Sequence, residues 1–122
     1  MADVPQRSGS IGGLIQGQPI ICGGYVDNST NYGFLQDCLV TTSHPNIKIN
    51  MLKKRTLASS VVLNQDTLWV IGGEDDSHHL KSTEFIKLNQ TSVEGPELPF
   101  TITSHCAVKY KENKIFFIGE LY

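Results

Sequence analysis

Leu68-Trp69-Val70-Ile71-Gly72-Gly73 decides how this chain folds. An unbroken run of β-branched, aromatic and aliphatic residues reads as a strand buried on both faces, and it is too short for a buried helix. The diglycine behind it ends the strand. Lacking Cβ atoms, the pair admits positive φ and lets another backbone pass close by. The same arrangement stands upstream as Pro19-Ile20-Ile21-Cys22-Gly23-Gly24 and downstream as Ile115-Phe116-Phe117-Ile118-Gly119-Glu120. Gly23 and Gly72 are 49 residues apart, and Gly72 and Gly119 are 47 apart. Such a period marks stacked supersecondary units, none of which buries its apolar faces alone.

Laid over one another on the glycines, residues 8–24, 57–73 and 104–120 match without gaps. Val61 falls on Val108, Leu68 on Ile115, Trp69 on Phe116 and Ile71 on Ile118. Each unit opens on small residues, Ser8-Gly9-Ser10, Ala58-Ser59-Ser60 and Ser104-His105-Cys106-Ala107, which keep the start of a first strand slim. The polar tips Gln65-Asp66-Thr67 and Lys111-Glu112-Asn113-Lys114 predict turns into the second strand. Polar loops at residues 25–33 and 74–79 follow the diglycines, the first of them longer. Third strands are expected at about residues 34–42 and 83–88, and fourth strands at residues 47–51 and 92–94. Gly95-Pro96-Glu97-Leu98-Pro99 closes unit two, since prolines cannot continue a ladder. No stretch reads as an amphipathic helix.

Strand, apolar-aromatic strand, Gly-Gly, polar loop, third strand, short fourth strand and proline, at this period, resembles the kelch repeat. Leu68-Trp69-Val70-Ile71-Gly72-Gly73 carries the most specific part of the likeness, with Gly23, Gly24 and Gly119 at the matching glycine positions and Phe116 in the place of Trp69. Arg7 and Arg55 resemble the arginine that precedes a first strand in that family. Ile20 replaces the aromatic residue in unit one, and Glu120 replaces the second glycine in unit three. Ile86 and Thr41 stand where the family's third-strand tyrosine falls, and Val93 where its fourth-strand tryptophan falls.

The resemblance implies an all-β fold of kelch-type β-propeller blades, each a four-stranded antiparallel sheet. It assigns a lead-in to residues 1–6, one blade to 7–54, a second to 55–101, and the first two strands of a third to 102–122. Propellers close with typically about four to eight blades, so the expectation is an incomplete, open arc. Three explanations compete: a fragment of a longer propeller, which is the expected one; self-assembly of several copies into a ring; or a marginally stable truncated product. The partners are accordingly the remaining blades or further copies, together with an unidentified protein.

Composition narrows the function. The chain of 122 residues carries 10 Lys and Arg against 12 Asp and Glu, a net charge of −2, and so offers no basic field for nucleic acid or an anionic membrane. No apolar run approaches the ~20 residues that span a bilayer. If Met1 is the true start the protein stays in the cytoplasm, and with a leader upstream it is extracellular. Asn28-Ser29-Thr30 and Asn89-Gln90-Thr91 fit the N-glycosylation pattern and fall in expected loops. Cys22 falls in a second strand and Cys38 in the third strand of the same unit, so a bridge between neighbours is open to them. The expected state of the three cysteines is nevertheless reduced, as small buried apolar residues.

No constellation points to catalysis, metal or cofactor. His78-His79 beside Asp75 and Asp76 supplies ligand types, but neighbours on an extended loop point apart, so a solvated loop is the expectation. His44 and His105 are isolated, and Ser104-His105-Cys106 places neighbours on opposite faces of a strand. The chain is therefore expected to be a non-catalytic protein-interaction module that presents its inter-strand loops. The candidates are Tyr25, Asp27, Tyr32 and Phe34 in the first loop and Asp75, Asp76, His78 and His79 in the second. The resemblance further implies substrate recognition for a ubiquitin ligase, with a copper-oxidase or sugar-processing enzyme, or a cytoskeletal scaffold, as alternatives.

Overall fold

A computed structural model describes residues 7–27, 32–42, 47–111 and 114–121. Its strands are β1 (Ile11–Ile15), β2 (Gln18–Cys22), β3 (Tyr25–Asp27), β4 (Tyr32–Phe34), β5 (Asp37–Val40), β6 (Ile47–Asn50), β7 (Ser59–Leu63), β8 (Thr67–Ile71), β9 (Thr83–Ile86), β10 (Val93–Glu94), β11 (Ile102–Lys111) and β12 (Lys114–Leu121). The chain is all-β, built of several antiparallel sheets, with no helix among the described residues. β1-β2-β5-β6 form one four-stranded sheet and β7-β8-β9-β10 a second; β11-β12 and β3-β4 are separate two-stranded hairpins.

The second strands superpose as the glycine spacing predicts, but the first strand of unit one is displaced by a residue. Ser59 pairs with Ile71 and Cys106 with Ile118, whereas Ile11, not Ser10, pairs with Cys22. The turns explain the shift. Gln16 and Gly17, at φ 51° and 76°, make a two-residue turn whose positive φ angles suit the twist of a hairpin. β7 and β8 are joined by three residues, 64–66, with Asn64 and Gln65 at φ 51° and 64°.

The sheets stack. Ile20, Cys22, Cys38, Val40 and Ile49 of the first sheet share one core with Leu68, Val70 and Ile86 of the second. Gly13 of β1 leaves the room that Val62 and Leu68 fill: a Cβ there would lie 3.0 Å from Val62 Cγ2. On the opposite face of the second sheet Trp69 stacks on Phe85 and meets Phe117 of β12 edge-on at 6.4 Å. β8 is thus covered on both sides, as its unbroken apolar run predicts, and Leu68, Val70 and Ile71 are buried. Each such side chain contributes ~1.5–3 kcal/mol by leaving water. β12 carries an equally apolar run, yet Phe116 and Ile118 are exposed, because no described residue lies over that face.

The diglycines are where the next unit begins. Gly72 and Gly73 have φ +63° and +91°; a Cβ on Gly72 would stand 2.6 Å from Ile102 O, and one on Gly73 2.9 Å from Ala58 Cβ. That crowding is why the first strands start on small residues. In unit three the pattern changes: β12 runs through Gly119, pairing Glu120 with Thr103 and Leu121 with Ile102.

Arg55 and Glu84 lock the two sheets together. Both are buried, with Arg55 Nε donating to Glu84 Oε2 at 3.0 Å. Arg55 also donates to the carbonyls of Gly72 and Ser82 at 2.8 and 2.9 Å and to Ser82 Oγ at 2.9 Å. Glu84 further accepts from Leu52 N, Lys53 N and Ser92 Oγ at 2.6, 3.1 and 2.6 Å. Burial pushes the Arg55 pKa below its ordinary value, against the charge and hydrogen bond of Glu84 and the more remote charge of Asp75. Glu84→Leu strands the guanidinium in the core and should cost ~3–5 kcal/mol in urea unfolding, whereas the pair Arg55→Met, Glu84→Leu should recover most of that loss.

Cys22 and Cys38 form a disulfide across β2 and β5, which corrects the expectation of reduced thiols. The two are register partners with Cα atoms 4.0 Å apart and no exposed surface, so pleating aims both side chains into the same buried space. Among the described residues Cys106 is the free cysteine, and it is exposed. The bridge closes a sequence separation of 16 residues. Its removal by the Cys22→Ala, Cys38→Ala pair should cost about 3 kcal/mol, read as a lower Tm than the oxidised chain.

Candidate interaction loops

Both loops are held by the same set of backbone hydrogen bonds. Gly23 N donates to Asp37 O and Gly72 N to Ser82 O, at 2.9 and 3.1 Å. Leu35 N closes onto Gly24 O and Leu80 N onto Gly73 O, each at 2.8 Å. Tyr25 exchanges two bonds with Ser8, and Glu74 exchanges two with Thr56. The segments between these anchors, residues 25–34 and 74–79, therefore leave equivalent frames and differ by four residues.

The extra residues fold back on themselves. Residues 25–33, expected as a polar loop, are largely the hairpin β3–β4, with Tyr25 paired to Phe34 and Asp27 to Tyr32. The third strand consequently starts at Asp37 and not at Phe34. At the hairpin's base the rings of Tyr25 and Phe34 meet edge-on, centroids 5.3 Å apart. An aromatic cross-strand pair of this kind holds a short hairpin together where the few ladder bonds do not. Asp27 and Tyr32 are placed on the hairpin by their backbone. The Asn28 sequon lies outside the described residues, whereas Asn89, at φ 59°, is exposed in the turn after β9.

The second loop is a tight polar turn. Asp75 Oδ1 accepts from Ser77 N at 2.9 Å and His78 N at 2.7 Å, and Asp75 N donates to His78 O at 3.0 Å. Partial burial works to raise the Asp75 pKa; the two donated N–H groups, with the charges of His78 and Lys53, outweigh it and hold the carboxyl below its ordinary value. Glu74 and His79 face each other at 3.4 Å, and Asp76 reaches Lys54 at 4.0 Å.

Asp75, His78 and His79 line a shallow cleft of about 340 Å³ together with Lys53, Lys81, Ser82, Glu97 and Thr101. The basic and acidic members of this wall, Lys53, Lys81 and Glu97, lie outside the sequence-derived candidates. For Lys53 and Glu97 the signal was the repeat junctions, since residues 53–54 and 95–99 are where one unit hands over to the next, whereas Lys81, between the second loop and β9, carried none. The structure brings Tyr25 and Phe34 together, and Asp75 with His78. The His78 side chain is 75% exposed, so its ring sits in water, 3.6 Å from the Asp75 carboxylate. Among the described residues no three His, Cys, Asp or Glu side chains converge as metal ligands.

No protein-family model matches the chain, and neither does any curated protein.

Asp75→Ala should loosen the loop and lower stability by ~1 kcal/mol at neutral pH, because two backbone donors lose an ionised acceptor. The native carboxyl titrates below its unfolded counterpart, so this contribution is present above the unfolded carboxylate pKa and disappears as pH falls through the lowered native value. Denaturation of the wild type and variant at neutral and strongly acidic pH should therefore converge at the acidic end.

Proposed function

We propose that this chain is part of a kelch-type β-propeller acting as a non-catalytic protein-interaction module, with the β3–β4 hairpin and the 74–79 loop as its contact surface. The reading is carried by one observation: two segments of different length and chemistry leave the same hydrogen-bonded frame in successive sheets. A rigid scaffold with exchangeable excursions is how recognition is built on repeats. Two four-stranded antiparallel sheets in sequence order, followed by a hairpin stacked in the same sense, support the blade assignment.

The two excursions offer complementary chemistry. Tyr25 and Phe34 give a preassembled aromatic edge, and aromatic residues that lose little entropy on binding anchor protein interfaces. The cleft beside the second loop alternates Lys53, Asp75, Lys81 and Glu97, which suits a polar peptide carrying both signs of charge. In a longer protein this surface would serve substrate selection, as for a ubiquitin ligase.

Affinity capture of the tagged chain with quantitative mass spectrometry tests the assignment. Tyr25→Ala with Phe34→Ala, and separately His78→Ala with His79→Ala, should each reduce recovery of at least one bound protein by about tenfold or more. Recovery indifferent to both pairs, or stoichiometric copper in the purified protein, overturns it.

A further inference from the structure

The stack of sheets has two unlike ends, and each matches what the other lacks. In the second sheet the face carrying Val61, Trp69 and Ile71 is covered by the β11–β12 hairpin; Val61 is 6% and Ile71 0% exposed. The same positions of β11–β12, fixed by the shared register, are Val108, Phe116 and Ile118, and they are 60%, 57% and 79% exposed. At the other end, Leu68 and Val70 of the second sheet press on the first sheet and are 0% exposed. Their register counterparts in the first sheet, Pro19 and Ile21, face outward half-buried beside Leu14, which is 60% exposed.

We propose that the chain associates head to tail: the outward face of β11–β12 receives the outward face of the first sheet of a second copy. Val108, Phe116 and Ile118 then lie against Leu14, Pro19 and Ile21 as Val61, Trp69 and Ile71 lie against the hairpin inside one copy. The occupant is a second copy because the chain itself carries both halves of this apolar joint, already used internally in the same order. An uncovered apolar sheet face of this kind marks an interaction surface. The joint is heterologous, so it propagates: copies add until a ring closes or a chain grows. This inference rests on the stacked sheets and not on the loop assignment.

Sedimentation velocity on the full chain reads it directly. The wild type should form species larger than a dimer as concentration rises. Ile118→Lys and Leu14→Lys should each sediment as monomers, because each blocks one half of the joint. Their equimolar mixture should yield a dimer and nothing larger, since one intact half remains on each partner. Both sites are exposed, so neither lysine is forced into a core; should either variant lose its strand circular dichroism, Ile118→Thr and Leu14→Thr replace them under the same criteria. A wild type that stays monomeric to about 100 μM, single variants that associate as the wild type does, or a mixture that remains monomeric overturns the proposal. Tyr25→Ala with Phe34→Ala should leave association unchanged, which separates this joint from the loop surface.

Discussion

A guanidinium and a carboxylate sealed between two sheets set the geometry on which the rest of the molecule depends. Glu84 stands on β9 of the second sheet and accepts four hydrogen bonds, three of them from residues 52–55, the strap that leaves the first sheet. Arg55, on that strap, reaches past Glu84 to the carbonyls of Gly72 and Ser82. The diglycine turn, the strap and the third strand are thereby fixed against one another by directional bonds. Apolar contacts between the sheets supply the larger share of the stability, but they tolerate sliding. A buried ion pair contributes little net stability over a hydrophobic replacement, and its charges are expensive when mismatched, so a shifted register would strand them.

The first unit keeps half of this device. Arg7 donates to Gly23 O at 3.1 Å and to Asp37 Oδ1 at 3.0 Å, as Arg55 does to Gly72 O and its own carboxylate. The position that Glu84 occupies opposite Val70 is held in the first sheet by Leu39, opposite Ile21. Asp37, at the start of β5, takes over as the partner, and Arg7 Nε is left without an acceptor among the described residues. On this side of the first sheet Leu39 is buried, its β6 partner Lys48 is exposed, and the charge is carried by the Arg7–Asp37 pair in place of a mid-strand glutamate.

The sequence discloses elements whose environment is uniform along their length. β8 is legible because burial on both faces removes alternation, and the diglycine behind it because only glycine fits beside Ile102 O and Ala58. The fourth strands follow from the prolines and turn residues around them. Other features depend on contacts that lie far apart in the chain. Thr83-Glu84-Phe85-Ile86 reads as a strand, but the burial of Glu84 depends on Arg55, 29 residues away. Cys22 and Cys38 can be placed on adjacent strands, whereas their direct apposition requires the β2–β5 register. The β3–β4 hairpin is hidden because three-residue strands are too short to show a period, and its stability comes from the Tyr25–Phe34 ring contact. Among the candidates, Asp75, His78 and His79 were legible as loop residues, but the cleft they line needs walls from two repeat junctions.

The close approaches that fix the stack also decide where the chain is free to vary. A Cβ on Gly73 would stand 2.7 Å from Thr56 O, so no side chain fits at the anchor without moving the neighbouring strand. Beyond the anchor the constraint ends, since Leu35 and Leu80 return to the same carbonyl position whatever lies between. Lengthening a surface loop from residues 74–79 to the span of residues 25–34 adds only a few tenths of a kcal/mol in closure entropy, which the aromatic pair of the hairpin offsets. Diversity is therefore inexpensive at the loops and costly at the glycines. The face of β11–β12 obeys the opposite rule. Val108, Phe116 and Ile118 repeat the apolar character of Val61, Trp69 and Ile71 at the same register positions, so this sheet face keeps its chemistry from the second sheet to the hairpin while the loops change theirs.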